Sequence, residues 1–228
     1  MLTSCLNKSS PLSEPIALLS LRTGRIAPLG SENLPSAIRK RPLGGPVAIT
    51  HLGLAGDEQA DRQHHGGPDK ALHHYPAEHY PLWRAELPDR ASRFEVGGFG
   101  ENFSTLGLNE GAVCVGDVFR LGGAVIQVSQ GRSPCRKLEI VFDTSDMVRR
   151  VRDTSRTGWY YRVLSPGEVA PEDVLTLAER PHQDWPVIRL FQTLFHPAMD
   201  AAALRDLARL PVLAENWRQR ARQRLQTP

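Results

Sequence analysis

Cys135 has the neighbours that chemistry at a thiol requires. It lies in the segment Gln130-Gly-Arg-Ser-Pro-Cys-Arg-Lys137, and the cations Arg132, Arg136 and Lys137 are all within three positions of it. Positive charge lowers the pKa of a thiol and favours the thiolate, which is the form that attacks electrophiles and binds metals. Because the segment follows a predicted strand, we expect Cys135 on a loop at the mouth of a barrel. A buried, inert cysteine is the alternative.

The other two cysteines lack such neighbours. Cys114 lies in the small apolar run Gly-Ala-Val-Cys-Val-Gly, which is typical of an inert strand residue, and Cys5 lies in a polar N-terminal stretch. Three widely separated cysteines do not form a disulfide framework, and this pattern indicates a reducing compartment. Since the chain has no CxxC pair, the pattern also argues against a structural zinc site.

The histidines cluster between positions 51 and 79, where six of the eight fall, but their spacing does not predict a metal site. The chain has no HExxH motif, and neighbours on a strand such as His73 and His74 point to opposite faces.

The segment His64-His-Gly-Gly-Pro-Asp-Lys70 is more informative. Its glycines allow backbone N–H groups to turn towards a ligand, and Lys70 follows closely, as in an anion nest. An ordinary Gly-Pro turn explains the same residues equally well.

Two further segments place polar residues among glycines. Gly56-Asp-Glu-Gln-Ala-Asp61 holds three carboxylates, and Gly100-Glu-Asn-Phe103 holds an acid and an amide. Such residues often line a functional site, and they equally often cap turns. The chain has no GxSxG motif and no GxGxxG motif after a strand, which argues against an α/β-hydrolase and against a Rossmann cofactor site.

The elements that must position these residues are short β segments broken by Gly and Pro. The pair Gly122-Gly123 between two apolar runs is a strong hairpin signal. Many short strands with frequent turns predict a mainly β barrel or closed sandwich. Two helices, Pro76–Leu87 and Ser145–Asp153, interrupt it. The predicted strands cover residues 16–21, 47–51, 71–75, 118–121, 124–129, 158–164 and 174–178.

The pattern changes to a helical period after Pro181. Three helices are predicted over residues 187–195, 200–210 and 212–225, the last with an apolar stripe that includes Trp217. About 45 residues cannot hold a large core alone. We therefore expect the three helices to pack on the barrel or on a second copy of the chain in a homodimer. The predicted organisation is a disordered tail over 1–14, a β-barrel domain over 15–180 and a three-helix domain over 181–228.

Charge is unevenly divided between these parts. The 228 residues carry 28 basic and 25 acidic groups, a net charge of +3, and all of the excess lies after residue 180. The main body is thus not expected to bind nucleic acid. The last predicted helix carries a cluster of arginines, which is either a solvated face or a docking surface for an acidic reductase. The arginine cluster comprises Arg218, Arg220, Arg222 and Arg224.

The N-terminus lacks the apolar region of a secretory signal, so we expect a soluble cytoplasmic protein that does not bind membranes.

Taken together, these segments resemble the MOSC domain family, which is named for the C-terminus of molybdenum-cofactor sulfurase. The three C-terminal helices are similar to the helical domain of a bacterial subgroup whose members reduce N-hydroxylated compounds, including the base analogue hydroxylaminopurine, in a detoxifying role. The resemblance rests on Gly56–Asp61, His65–Ala71 with Tyr75, Phe99–Ser104, Gly116-Asp117, Gln130–Leu138 and Thr157–Tyr160.

The resemblance implies a fold that binds the molybdenum cofactor, molybdopterin, with Cys135 as the thiolate ligand of molybdenum. Thiolate suits this metal beside the pterin's own dithiolene. Arg132 and Lys137 would stabilise the thiolate or the pterin phosphate. The reduced metal would take oxygen from an N–OH substrate. No flavin, haem or iron–sulfur motif is visible, so electrons would come from an external donor protein or a small reductant.

The resemblance also implies roles for the polar residues flanking the glycines. Glu101 and Asn102 would face the cofactor or the substrate. A proton for the leaving oxygen would come from Glu101 or from His65. The glycine turn would form a wall and an anion nest, and its residues are His65, Gly66, Gly67 and Lys70.

Two departures and two alternatives accompany this interpretation. The subgroup usually has Pro where this chain has Gly131, which predicts a looser cysteine loop, and Phe103 replaces a common Leu. In one alternative, Cys135 carries a persulfide for cofactor or metal–sulfur cluster assembly. In the other, the chain is a non-catalytic molybdenum-cofactor-binding module.

Overall fold

The structure of the protein, a computed structural model, describes residues 14–61 and 66–226. The predicted disordered tail therefore lies outside the described residues apart from Glu14, as do Cys5, His64 and His65. The strands are β1 Ile16–Ala17, β2 Ser20–Thr23, β3 Ala27–Leu29, β4 Leu34–Ser36, β5 Arg41–Pro42, β6 Val47–Thr50, β7 Gly53–Leu54, β8 Leu72–His74, β9 Phe103–Ser104, β10 Val118–Leu121, β11 Ala124–Gly131, β12 Trp159–Ser165, β13 Gly167–Val169 and β14 Val174–Glu179. The helices are α1 His79–Glu86, α2 Lys137–Phe142, α3 Met147–Thr154, α4 Val187–Phe195, α5 Ala201–Arg209 and α6 Glu215–Gln226, with 3₁₀ turns at Pro68–Lys70 and Pro88–Arg93.

Nine strands form one curled sheet in the order β1-β14-β10-β11-β12-β8-β9-β2-β5. Neighbouring strands are antiparallel, except that β8 and β9 run parallel. A three-stranded sheet, β13-β6-β7, and the hairpin β3-β4 complete the β structure. The mainly β class with C-terminal helices is confirmed, and the sheet has the form of a half-barrel.

The central hairpin leads directly to the cysteine segment. Gly122, with a φ of 54°, turns the chain between β10 and β11. The register between β11 and β12 shifts after Val128, which is the mark of a β-bulge. Bulges re-aim side chains and are common beside functional sites. Because of this bulge, Ser129, Gln130 and Gly131 are all buried, and the strand extends two residues beyond its predicted end.

Two parts of the N-terminal prediction differ from the structure. The predicted strand over 16–21 is two strands, because β1 pairs with β14 near one edge of the sheet and β2 pairs with β9 and β5 near the other. Helix α2, which begins two residues after Cys135, was not predicted. Its Leu138 and Phe142 are buried in an aromatic cluster with Tyr75, Trp83 and Phe99.

The three C-terminal helices occupy the predicted positions and share a core of their own. Leu213, Trp217 and Ala221 of the predicted stripe are buried in it together with residues of α4 and α5. The core docks on the sheet at β11, where the backbone N–H of Ala214 donates to the carbonyl of Ser129 over 2.9 Å. Among the helices within the described ranges, none has the length and apolar character needed to cross a membrane.

Half of the arginine cluster belongs to this packing. The guanidinium of Arg224 donates to the carbonyls of Thr193 and His196, at 3.1 and 2.7 Å, where α4 ends. The guanidinium of Arg220 lies 4.1 Å from the centre of the Phe195 ring. Cations at a helix C-terminus satisfy its last carbonyls and its dipole. Part of the basic excess is therefore structural, rather than a solvated face.

Candidate functional site

Cys135 lies in a cavity at the junction of several loops. The cavity measures about 600 Å³ when the part open to solvent is included. Its walls come from the segments after β4, β7 and β11, from the segment before β9, and from strands β8 and β12. The lining residues are Ser36, Ala37, Ile38, Lys40, Asp57, Glu58, Gln59, Ala60, Asp61, His73, Phe99, Gly100, Asn102, Arg132, Cys135, Lys137 and Tyr160.

Two of the three predicted cations accompany Cys135 in this cavity. The thiol is reduced and half-buried, and the carbonyl of Cys135 accepts the Leu138 N–H over 3.0 Å as α2 begins. Lys137 lines the cavity and donates to the Pro35 carbonyl over 3.2 Å. Arg136 instead forms an exposed ion pair with Glu32. Of the three predicted cations, Arg132 and Lys137 are therefore the two that share the cavity with the thiol.

Arg132 holds a buried positive charge at the cavity wall. Its side chain is 5% exposed, and its backbone N–H donates to the Gly158 carbonyl over 3.1 Å. Burial raises the pKa of Tyr160, while the charge of Arg132 and its hydrogen bond to the phenol oppose that rise. The Nη1 atom of Arg132 is buried and has no hydrogen-bond partner among the described residues. Buried donors are normally satisfied, so this atom can receive an oxygen of a bound anion.

His73 places a neutral ring beside this donor. Burial and the charge of Arg132 lower the pKa of His73 well below its usual value, so the ring is neutral. Its Nε2 atom is buried and has no hydrogen-bond partner among the described residues. The ring centre lies 5.0 Å from that of Tyr160. His73 and Tyr160 were not among the predicted site residues.

A buried ion pair forms another part of the wall. Lys40 Nζ lies 2.5 Å from Asp57 Oδ2, and the two side chains are 7% and 2% exposed. The carboxylate also accepts the Gly24 N–H at 2.7 Å and the Asn102 amide at 2.9 Å. Burial lowers the pKa of Lys40, and the charge of Asp57 opposes that change. The wall is thus polar but carries no net charge from this pair.

Asn102 and Glu101, adjacent in sequence, have different positions. Asn102 lines the cavity, where its Oδ1 accepts the His73 N–H over 2.9 Å. Glu101 is fully buried outside the lining. Its Oε1 accepts from the Tyr80 hydroxyl at 2.5 Å and the Gly97 N–H at 2.6 Å, and burial raises the pKa of its carboxyl. The prediction that Glu101 faces cofactor or substrate is therefore corrected.

The glycine turn lies beside the cavity rather than in its wall. Gly66, Gly67 and Lys70 do not belong to the lining, and Gly67 borders a neighbouring groove that shares Asp57 with the cavity. Lys70 is half-buried near Asp61 and Asp69, and burial lowers its pKa. Asp61 lines the cavity at the point where the described chain stops before residue 66. The role of His65 stays a prediction.

Gly131 itself is fixed by packing, and the looser cysteine loop expected from it stays a prediction. Gly131 is the last residue of β11 and pairs with Trp159 of β12. A Cβ atom at Gly131 would lie 2.8 Å from Cη2 of Trp217, so α6 packs directly on this position. Cys114 is buried, as predicted, and burial raises the pKa of its thiol to about 11. It forms an isolated β-bridge with Pro186 rather than lying in a strand, and its inertness stays a prediction.

The donor set of the site is one thiol with a buried guanidinium donor and a neutral imidazole. Among the described residues, no group of three or more His, Cys, Asp or Glu side chains could hold a metal ion. Arg132 and Lys137 suit an anionic ligand.

Two family models match the chain, the MOSC domain over residues 61–176 and the YiiM-like 3-alpha helix domain over residues 185–227. Protein YiiM of Escherichia coli K12 is 51% identical over 149 residues, which are 65% of this chain and 66% of that protein, just under two thirds of its length. YflK of Bacillus subtilis 168 is 41% identical over 90% of this chain and 92% of its own. A protein of Gibberella moniliformis named reductase is 37% identical over 90% of this chain, which spans 36% of that protein.

Solved structures show the same relationship. The crystal structure of YiiM from Escherichia coli has a TM-score of 0.79 at 36% identity and covers 93% of both chains. That of YiiM from Geobacillus stearothermophilus has a TM-score of 0.77 at 33% identity, covering 92% of this chain and all of the other. Sequence and structure comparisons together confirm the resemblance seen in the sequence motifs.

Proposed function

Because the chain belongs to the MOSC domain family, in the group with a YiiM-like three-helix domain, we propose that it is a molybdenum-cofactor-dependent reductase of N-hydroxylated compounds. The observation that carries the proposal is the position of Cys135 in a cavity beside Arg132 and Lys137. A thiol with two neighbouring cations suits a soft metal on an anionic organic carrier.

The residues of the cavity fit such a cofactor. Cys135 would be the protein ligand of molybdenum, and Lys137 and Arg132 would hold the anionic groups of the pterin. Within residues 14–61 and 66–226 the buried Nη1 of Arg132 has no hydrogen-bond partner, and a cofactor oxygen would provide one. Asn102 is held by Asp57 and in turn holds the backbone of His73, so this part of the wall is ordered before any ligand binds.

The bound cofactor supplies two-electron chemistry at an oxygen atom, which the protein groups themselves cannot perform. The net reaction consumes two electrons and two protons and converts an N–OH group into N–H and water. In this scheme the neutral ring of His73 forms part of the wall that the substrate contacts. The ion pair of Lys40 and Asp57 keeps that side of the cavity polar. His65 remains the proposed source of a proton, since Glu101 lies outside the cavity.

Electrons would reach the site from an external donor protein or a small reductant. The fungal relative named reductase supports a reductive role, and about two thirds of its length has no counterpart in this chain.

Metal content and turnover test the proposal together. Protein purified from cells that make the cofactor should contain molybdenum and should reduce an aromatic N-hydroxylamine with a chemical reductant. Cys135→Ser should lose both, whereas Cys114→Ser, a matched change at the buried thiol, should keep both. Retention of molybdenum and activity in Cys135→Ser would contradict the proposal. A persulfide on Cys135 without molybdenum would favour sulfur transfer, and molybdenum without turnover would favour a binding module.

A further inference from the structure

The three-helix domain makes a tight contact at the start of the cysteine loop, which is the segment 132–136 between β11 and α2. Trp217 of α6 is 2% exposed, and its ring lies against Gly131, the last residue of β11. A Cβ atom on Gly131 would lie 2.8 Å from Cη2 of Trp217 and 3.5 Å from Cγ1 of Val187. Only a residue without a side chain fits there. The backbone of Ser129, two residues earlier, accepts the N–H of Ala214 at 2.9 Å.

This contact lies directly before the residues that carry the chemistry. Arg132 follows Gly131, and its backbone N–H is fixed to the Gly158 carbonyl at 3.1 Å. Cys135 follows three residues later, before α2 begins. The segment between β11 and α2 is therefore short, and its starting point is set by the packing of Trp217.

The same domain also holds the glycine turn through a second contact. Nη1 of Arg162 donates to the Val212 carbonyl, between α5 and α6, over 2.9 Å. Nε of the same guanidinium donates to Asp69 Oδ1 over 2.8 Å. The Ser129 hydroxyl donates to the Asp69 carbonyl over 2.6 Å. Asp69 lies in the 3₁₀ turn that follows Gly67, so Arg162 of β12 links the helical domain to this turn.

We infer that the three-helix domain positions the loop that carries Cys135, with Trp217 as its positioning residue, and that Arg162 ties the same domain to the glycine turn beside the cavity. Trp217 does not line the cavity and acts through Gly131 and Arg132. The inference concerns the protein without any cofactor, so its failure would leave the proposed reductase function standing.

Alkylation of Cys135 in the folded, cofactor-free protein tests the inference. Iodoacetamide modification is followed by mass spectrometry of the peptide that contains Cys135, which separates it from Cys5 and Cys114. Trp217→Ala should release the start of the loop and speed modification about threefold or more, since local opening exposes the thiol. Leu207→Ala is the matched control, because Leu207 is buried in the same helical core on α5. It should lower the melting temperature and leave the alkylation rate unchanged.

Hydrogen exchange gives an independent measure of the same loop. The amides of residues 132–138 should exchange faster in Trp217→Ala than in Leu207→Ala when the two variants are compared at equal global stability. An unchanged alkylation rate and unchanged exchange in a folded Trp217→Ala variant would overturn the inference. Equal effects of both variants would also overturn it, because they would show a general loss of stability.

A compensating pair keeps the test decisive if Trp217→Ala does not fold. Gly131→Ala places a methyl group against the Trp217 ring and should speed alkylation of Cys135 on its own. Combining Gly131→Ala with Trp217→Leu gives the methyl group room, so the double variant should lie closer to the wild-type rate than the sum of the two single effects predicts. Strictly additive effects would show that the two residues do not act on the loop through their contact.

Discussion

Asp57 and Glu101 are buried carboxylates in neighbouring regions, and the protein satisfies them in different ways. Asp57, in the cavity wall, pairs with the buried ammonium of Lys40 and accepts two further N–H donors. Glu101, in the aromatic cluster behind the wall, accepts from neutral groups, including the hydroxyls of Tyr80 and Ser104. A buried charge pair depends on both partners being present, whereas neutral donors tolerate a neutral acceptor. The same isosteric substitution should therefore affect the two regions differently.

Asp57→Asn should have the largest effect on stability. It leaves the Lys40 ammonium buried without its counter-charge, at a cost of about 3–5 kcal/mol in the free energy of unfolding. Urea unfolding followed by tryptophan fluorescence measures the loss. The double variant Lys40→Met/Asp57→Asn should recover much of it, because the unpaired charge is removed. A double variant no more stable than Asp57→Asn would show that the ion pair is not what Asp57 contributes.

Asn102→Ala should rank second. Its amide links the two sides of the cavity wall, since it donates to Asp57 Oδ2 at 2.9 Å and accepts the His73 N–H at 2.9 Å. Removing it leaves buried groups unsatisfied, at a cost of about 2–3 kcal/mol. Asn109→Ala is the control, because Asn109 makes a comparable bond to the Gly111 N–H at an exposed turn and should cost about 1 kcal/mol or less. Similar losses in both variants would argue against an ordered wall.

Glu101→Gln should have a smaller effect than either. The glutamine oxygen can still accept from the Gly97 N–H and the Tyr80 hydroxyl, and no buried cation loses a bonded partner. We expect a change of about 1 kcal/mol or less near neutral pH, again by urea unfolding. A loss as large as that of Asp57→Asn would erase the contrast between the two regions. It would mean that Glu101 is needed as an anion.

Local sequence was enough to predict Cys135, Arg132 and Lys137, because a thiol and its cations lie within one short segment. The pairing of Lys40 with Asp57 joins residues 17 positions apart with no shared motif, so only the folded chain reveals it. Likewise, His73 and Tyr160 meet because β8 pairs with β12 in a register that side-chain patterning does not fix.

The helical stripe at the C-terminus predicted α6 correctly, because its i, i+4 spacing is a local property. Its contact with Gly131 depends on how the helices dock on the sheet, which periodicity does not specify. For Glu101, by contrast, the local sequence signal was misleading. A glycine-rich setting indicated a site residue, yet the two residues after Gly100 face opposite sides, Asn102 the cavity and Glu101 the cluster behind it.

The smallest predicted effect is a pH dependence that belongs to Glu101 alone. Burial raises the pKa of its carboxyl above the ordinary value of 4.5 in the folded protein. The stability from its protonated form is therefore fully present below the unfolded-state pKa and is lost as the pH rises through the raised folded-state pKa. The stability of the wild type relative to Glu101→Gln should fall over that interval, as measured by urea unfolding at a series of pH values. A difference that stays constant with pH, or that grows as the pH rises, would show that the fold stabilises the ionised carboxylate. Glu101 would then resemble Asp57 after all.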